Sequence, residues 1–124
     1  MAGYARAVRR GRTIVVSGTT ANDGDGGALH KGDTGAQTVA ALGQALLAIE
    51  RLGGRLDDVV RTRIYLTPDA DWSAASRAHA QLLGGVDPAN TMVFVHGLVG
   101  EDFLVEVEVD ALVETAEPGD PAEP

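Results

Sequence analysis

Seven residues near the C-terminus, Val105-Glu106-Val107-Glu108-Val109-Asp110-Ala111, alternate strictly between small apolar and acidic side chains. Successive side chains of a β-strand point to opposite faces, so this run predicts a strand with Val105, Val107, Val109 and Ala111 against a core. Glu106, Glu108 and Asp110 then lie on the other face. The strand is expected over residues 103–113. It demands a sheet that is covered on one side and polar on the other.

The cover comes from two helical patterns. Val39, Leu42, Leu46, Ile49 and Leu52 recur at spacings of three and four behind a capping Asp33 or Thr34, and Gly53-Gly54 ends the run. A second helix is capped by Asp71 or Asp69 and runs through Leu83, with Trp72, Ala75, Ala78, His79 and Leu82 as its inner stripe and Gly84-Gly85 as its stop. The strands are expected at Tyr4–Val8, Thr13–Ser17, Asp58–Thr67 and Thr91–Val95, with a turn over Arg9-Arg10-Gly11-Arg12 and a loop from Asn22 to Gly27. In the third of these, Val60, Thr62, Ile64 and Leu66 fall on one face, and Val59, Arg61, Arg63 and Tyr65 on the other. The order β-β-α-β-α-β-β predicts an α+β domain over residues 1–114, with two helices on one face of a mixed sheet. Its second face would carry Arg61, Arg63, Tyr65, Glu106 and Glu108 mixed with Met92 and Phe94. That face is too polar for a monomer core and too apolar for plain solvent, which predicts an oligomer interface.

Composition narrows the function classes. With 44% hydrophobic and only 4% aromatic residues, the core must be filled by Val, Leu, Ile and Ala. There are no cysteines, which excludes disulfides, thiolate metal sites and a Cys nucleophile. The net charge of −8 argues against nucleic-acid binding, which needs a basic footprint. Residues 115–124, acidic and rich in Pro, Gly and Ala, cannot bury a core and are expected to be a disordered tail. The absence of a long apolar run or a signal-peptide pattern gives a cytoplasmic, membrane-free expectation. Three scattered histidines, His30, His79 and His96, lack metal-ligand spacing, so no metal is expected. His79, on a helix stripe, reads as a hydrogen-bonded structural residue.

Several segments together resemble the Rid (reactive intermediate deaminase, YjgF-type) family. They are Tyr4–Val8 with Gly11, Ile14–Gly18, Ala36-Gln37-Thr38, Leu56–Thr67, Asp71-Trp72, Arg77-Ala78-His79, Pro88–Met92 and Val105–Glu108. No single piece is specific; their order and spacing are. The resemblance implies a chorismate-mutase-like fold, a homotrimer with sites in intersubunit clefts, and cofactor-free, metal-free hydrolysis of enamines and imines. It carries Tyr4, Ser17, Gly18 and Glu106 onto family site positions. At Asn90 the best-known members have an Arg that pairs with the substrate carboxylate; a planar guanidinium gives two charge-assisted bonds there, and Asn supplies no charge. At Met92 they commonly have a small or Cys residue. The chain therefore resembles an Arg-less branch of the family.

Glu106 is the candidate acid/base, since a partly buried carboxylate suits water activation or carbon protonation; the bland alternative is a salt bridge to Arg61 or Arg63. By period two, Asn90, Met92, Phe94 and His96 share one face and are the candidate substrate-binding residues with Tyr4, Ser17 and Gly18, which predicts a larger, less anionic substrate. His96 is a candidate proton shuttle, Ser17 with the Gly18 amide a candidate holder of a substrate oxygen, and Arg63 a candidate replacement cation. The leading expectation is an imine/enamine hydrolase acting on a small molecule. The alternative is a non-catalytic ligand-binding or regulatory trimer, with ribonuclease activity disfavoured by the acidic charge.

Overall fold

The computed structural model describes residues 2–114; the tail expected over 115–124 lies outside the described residues. Five strands, β1 (Ala7–Arg10), β2 (Thr13–Thr20), β3 (Val59–Leu66), β4 (Ala89–Phe94) and β5 (Val105–Leu112), form one sheet in the order β1-β2-β5-β3-β4. Helices α1 (Thr34–Arg51) and α2 (Trp72–Leu83) pack on one face. All neighbours are antiparallel except β3 and β4, which run parallel because α2 is the crossover between them. The expected element order and mixed sheet are therefore what the chain adopts.

β5 is central, and its alternation is realised: Val105, Val107, Val109 and Ala111 are buried against the helices, together with Ile14, Ile64 and Leu66. From α1 the buried contributors are Thr34, Gln37, Thr38, Ala41, Leu42, Ala45, Ala48 and Ile49. This face is rotated from the expected stripe. Val39 is only half-buried and Leu46 and Leu52 flank the core, because the small Ala and Thr side chains let the helix approach the sheet closely. Burial of Leu42 and Ile49 contributes about 1.5–3 kcal/mol each. Asp33 caps α1 by accepting from the Ala36 amide, and Asp71 caps α2 by accepting from the Ala74 amide.

Three further departures have local causes. β1 extends to Arg10, so the turn is only Gly11-Arg12, with Gly11 at φ +59°. The strand holds Arg9 where its guanidinium donates to the Leu52 carbonyl at the end of α1, 2.8 Å away. In β3 the register with β5 shifts between Val59 and Arg61, which turns Val59 into the core and leaves Val60 exposed, the reverse of the simple alternation. Trp72 opens α2 with 58% of its surface exposed and is not part of the inner stripe.

A fully buried side chain secures the β4–β5 connection. Gln37 Nε2 donates to the Asp102 carbonyl at 2.9 Å, and Gln37 Oε1 accepts from the Leu104 amide at 2.8 Å.

Candidate functional site

The second face of the sheet, away from the helices, carries Glu106 and Glu108 on β5 beside Tyr65 on β3, in the register Tyr65↔Glu106 and Arg63↔Glu108. On the other side of β5, two residues of β2, Ser17 and Gly18, oppose one residue of β5, so the strand bulges between Val16 and Thr19. The bulge lays Gly18 directly under the Glu106 carboxylate; a Cβ built on Gly18 would collide with it. Gly18, Tyr65, Glu106 and Glu108, with Val95 and Leu98 from the segment after β4, line an open groove of about 330 Å³.

The two carboxylates have different surroundings. Tyr65 donates a short hydrogen bond to Glu108 Oε1, which, with burial, holds the phenol above its ordinary range. The Glu106 carboxylate has no hydrogen bond or ion pair with any described residue. Burial pushes its carboxyl above the ordinary glutamate range, and the charge of Glu108 adds to the rise. Adjacent carboxyls placed in unlike environments are the usual basis of proton transfer near neutral pH. The salt-bridge alternative for Glu106 is not what forms: Arg63 pairs with Asp110 at 3.3 Å. That pairing also takes Arg63 out of the role of replacement cation, and it lines neither this groove nor the one beside Asn90.

Gly18 also borders an adjoining cavity of about 210 Å³, lined by Tyr4, Arg6, Ser17, Thr19, Thr20 and Asn22. Tyr4 and Ser17 therefore line one cavity and Glu106 the groove beside it, with Gly18 shared between the two. Ser17 has a narrower role than expected: its hydroxyl donates to the Ala5 carbonyl at 2.7 Å, so its proton is committed and only its lone pairs face outward. Arg6, not singled out from the sequence, supplies the cation beside this cavity.

Asn90, Met92 and Phe94 are elsewhere. Parallel pairing sets Thr62↔Asn90, Ile64↔Met92 and Leu66↔Phe94, so these three share the helix-side face of β3 and not the face of Arg63, Tyr65 and Glu106. The expectation that Met92 and Phe94 lie on the second face is corrected by this register. Met92 packs against the core, and Asn90, Met92, Val93 and Phe94 with Trp72 and Ser76 of α2 line a separate cavity of about 330 Å³ at the sheet edge. His96 lies beyond the end of β4, exposed, and makes no hydrogen bond or ion pair with a described residue. His79 is the structural histidine anticipated: its Nε2 meets Thr62 Oγ1 at 2.8 Å, and burial holds its pKa down.

The Endoribonuclease L-PSP family model matches residues 1–113, nearly the whole described chain. The chain belongs to the YjgF/RutC family. A RutC family protein of Pyrococcus abyssi is 31% identical over 90% of this chain and 87% of its own. The solved structure of a Mycobacterium tuberculosis member of the YjgF/YER057c/UK114 family is 42% identical, with a TM-score of 0.79 over 90% of this chain and 88% of its own. A Thermotoga maritima structure superposes with a TM-score of 0.83 at 26% identity, covering 92% and 89%. Membership in the YjgF/RutC family agrees with a small-molecule-processing role. Among the described residues, no cluster of three or more His, Asp or Glu could hold a metal, and no helix is long and apolar enough to cross a membrane.

The packing of Gly18 under Glu106 gives a direct check on the site. Gly18 is not among the glycines with positive φ, so its reason is steric. Gly18→Ala is expected to push the Glu106 carboxylate into solvent and return its pKa toward the ordinary glutamate range. Carboxyl-carbon NMR titration reads this; an unmoved titration would show that the contact does not shape the site.

Proposed function

We propose that the chain is a cofactor-free imine or enamine hydrolase, working as a homotrimer whose site is completed between neighbouring copies. The observation that carries this reading is Glu106: half-buried, unpaired, raised in pKa and pressed against the Gly18 backbone in an open groove. As water attacks the carbon of an imine protonated on nitrogen, Glu106 takes a proton from the water. Protonated Glu106 returns that proton to the nitrogen of the carbinolamine, and ammonia leaves as the hydroxyl proton passes to the freed carboxylate, leaving a carbonyl. An enamine enters the same path once protonated Glu106 delivers its proton to carbon.

The composite site is supported by the placement of the candidate residues. Glu106, Gly18 and Tyr4 face the grooves of the second face, whereas Asn90, Met92 and Phe94 face the edge cavity beside α2. A ligand touching both groups has to sit between two copies. The second face also exposes Val15, Val60 and Leu112, apolar surface suited to a subunit contact. RNA cleavage, the activity in the family model's description, has less support. Glu106 and Glu108 in the groove and the net charge of −8 repel a phosphodiester backbone.

The test is carbonyl and ammonia release from imines generated in situ. An amino-acid oxidase supplies 2-iminopropionate, and an amine oxidase acting on phenethylamine supplies an imine without a carboxylate. Acceleration over spontaneous hydrolysis is expected, and Asn90→Arg is expected to favour 2-iminopropionate. No acceleration with any imine, in either protein, would leave ligand binding without turnover as the better reading.

A further inference from the structure

We propose that Asn90 makes the β4 end of this site a receptor for an N–H donor on an apolar body without a carboxylate, and that Thr62 and His79 are the positioning residues that orient it. As a statement about substrate this rests on the composite-site reading; as a statement about binding it does not.

Thr62 is fully buried on β3 and stands opposite Asn90 in the parallel register. Asn90 Nδ2 donates to Thr62 Oγ1 at 3.0 Å and reaches the Thr62 carbonyl at 3.5 Å. A backbone carbonyl can only accept, so the amide nitrogen is the atom turned toward β3. Asn90 Oδ1 accepts from no described residue. It is the polar amide atom left for the edge cavity that Asn90 lines.

The orientation is enforced from behind. The Thr62 hydroxyl receives the Asn90 proton, and as a buried hydroxyl it must send its own proton to an acceptor. His79 Nε2, 2.8 Å away, is the acceptor available among the described residues. His79 is then neutral with its proton on Nδ1, and the burial that lowers its pKa favours that state. Donation therefore runs one way, from Asn90 to Thr62 to His79.

The rest of the cavity matches an apolar ligand. Trp72 and Phe94 are 58% and 55% exposed around it, Met92 forms its floor toward the core, and none of its lining residues is cationic. A carboxylate would meet the lone pairs of Oδ1 with no positive charge to offset them, whereas an amide, imine or enamine N–H would take the place of solvent on the Oδ1 of the exposed Asn90.

Trp72 is the chain's single tryptophan, so its emission reports this cavity directly. The probes are phenylacetamide and phenylacetate, nearly equal in shape and different in donor and charge, titrated into the full-length protein. Wild type is expected to bind the amide about tenfold more tightly, one hydrogen bond's worth. Asn90→Arg should reverse the preference. Thr62→Val should abolish it and Thr62→Ser restore it, a rescue that a purely structural role would not produce. If Thr62→Val does not fold, Asn90→Leu at the exposed edge decides: an amide preference that survives it overturns the proposal. Equal binding of both probes by wild type, or no response of Trp72 to either, also overturns it. The readout is independent of turnover. An amide preference without imine hydrolysis would retire the enzyme reading and leave this one standing, and hydrolysis without the preference would do the reverse.

Discussion

Glu106→Gln lowers imine turnover by about 10²–10⁴-fold and, at neutral pH, raises the melting temperature of the protein. The first effect follows from losing the only general acid/base assigned to the reaction. Because the carboxylate is the form that accepts the proton of water, the wild-type rate should climb as pH rises through a Glu106 pKa that lies above the ordinary glutamate range. The second effect comes from the same shift. The folded state holds the Glu106 proton more tightly than the unfolded chain does. Stability therefore falls as pH rises from the unfolded pKa through the raised folded one and stays lower above that window. Glutamine never ionises and escapes this loss, so the gap in melting temperature should open above the window and close below it. Thermal unfolding of both proteins across pH, with light scattering to confirm equal assembly, checks the prediction. A variant that loses assembly, or that melts lower than wild type at neutral pH, would show that Glu106 is a structural ion and not a strained acid/base.

Gln37→Leu is the second large effect, and it acts on stability. The substitution keeps an apolar-sized group in a fully buried position but leaves the Leu104 amide and the Asp102 carbonyl without their partner. Leu104 is half-buried and Asp102 exposed, so the penalty falls mainly on the Leu104 amide, and a loss of about 1–3 kcal/mol is expected. Urea unfolding should show a lower midpoint with an unchanged slope, and the Leu104 amide should exchange its hydrogen faster. The connection that Gln37 secures includes Val95 and Leu98 of the Glu106 groove, so binding there should weaken as well. A loss below about 0.5 kcal/mol would mean that water replaces the glutamine at no cost and that the connection is held by other contacts.

Legibility from sequence followed the range of the interactions involved. The caps Asp33 and Asp71, the bounds of α2 and the outward Glu106 were readable because capping and strand alternation are set within a few residues. Tyr65 was placed on the correct face by the same alternation, but its hydrogen bond to Glu108 depends on which β5 residue stands diagonally across. Arg6 carried no local signal at all; its position beside Gly18 follows from the hairpin pairing Ala7↔Val16.

The amino-acid sequence by itself determined the element order and the two-faced β5, since periodicity and capping are local chemistry; the choice of Glu106 among the acids of that face came from the family resemblance. Tertiary structure alone decided three things. It set the bulge that seats Gly18 under Glu106 and the parallel register that turns Met92 and Phe94 toward α2. It also made the donation from Asn90 through Thr62 to His79. Each depends on non-local strand pairing, where a shift of one residue exchanges the two faces of a strand, and no local pattern in the chain records that register.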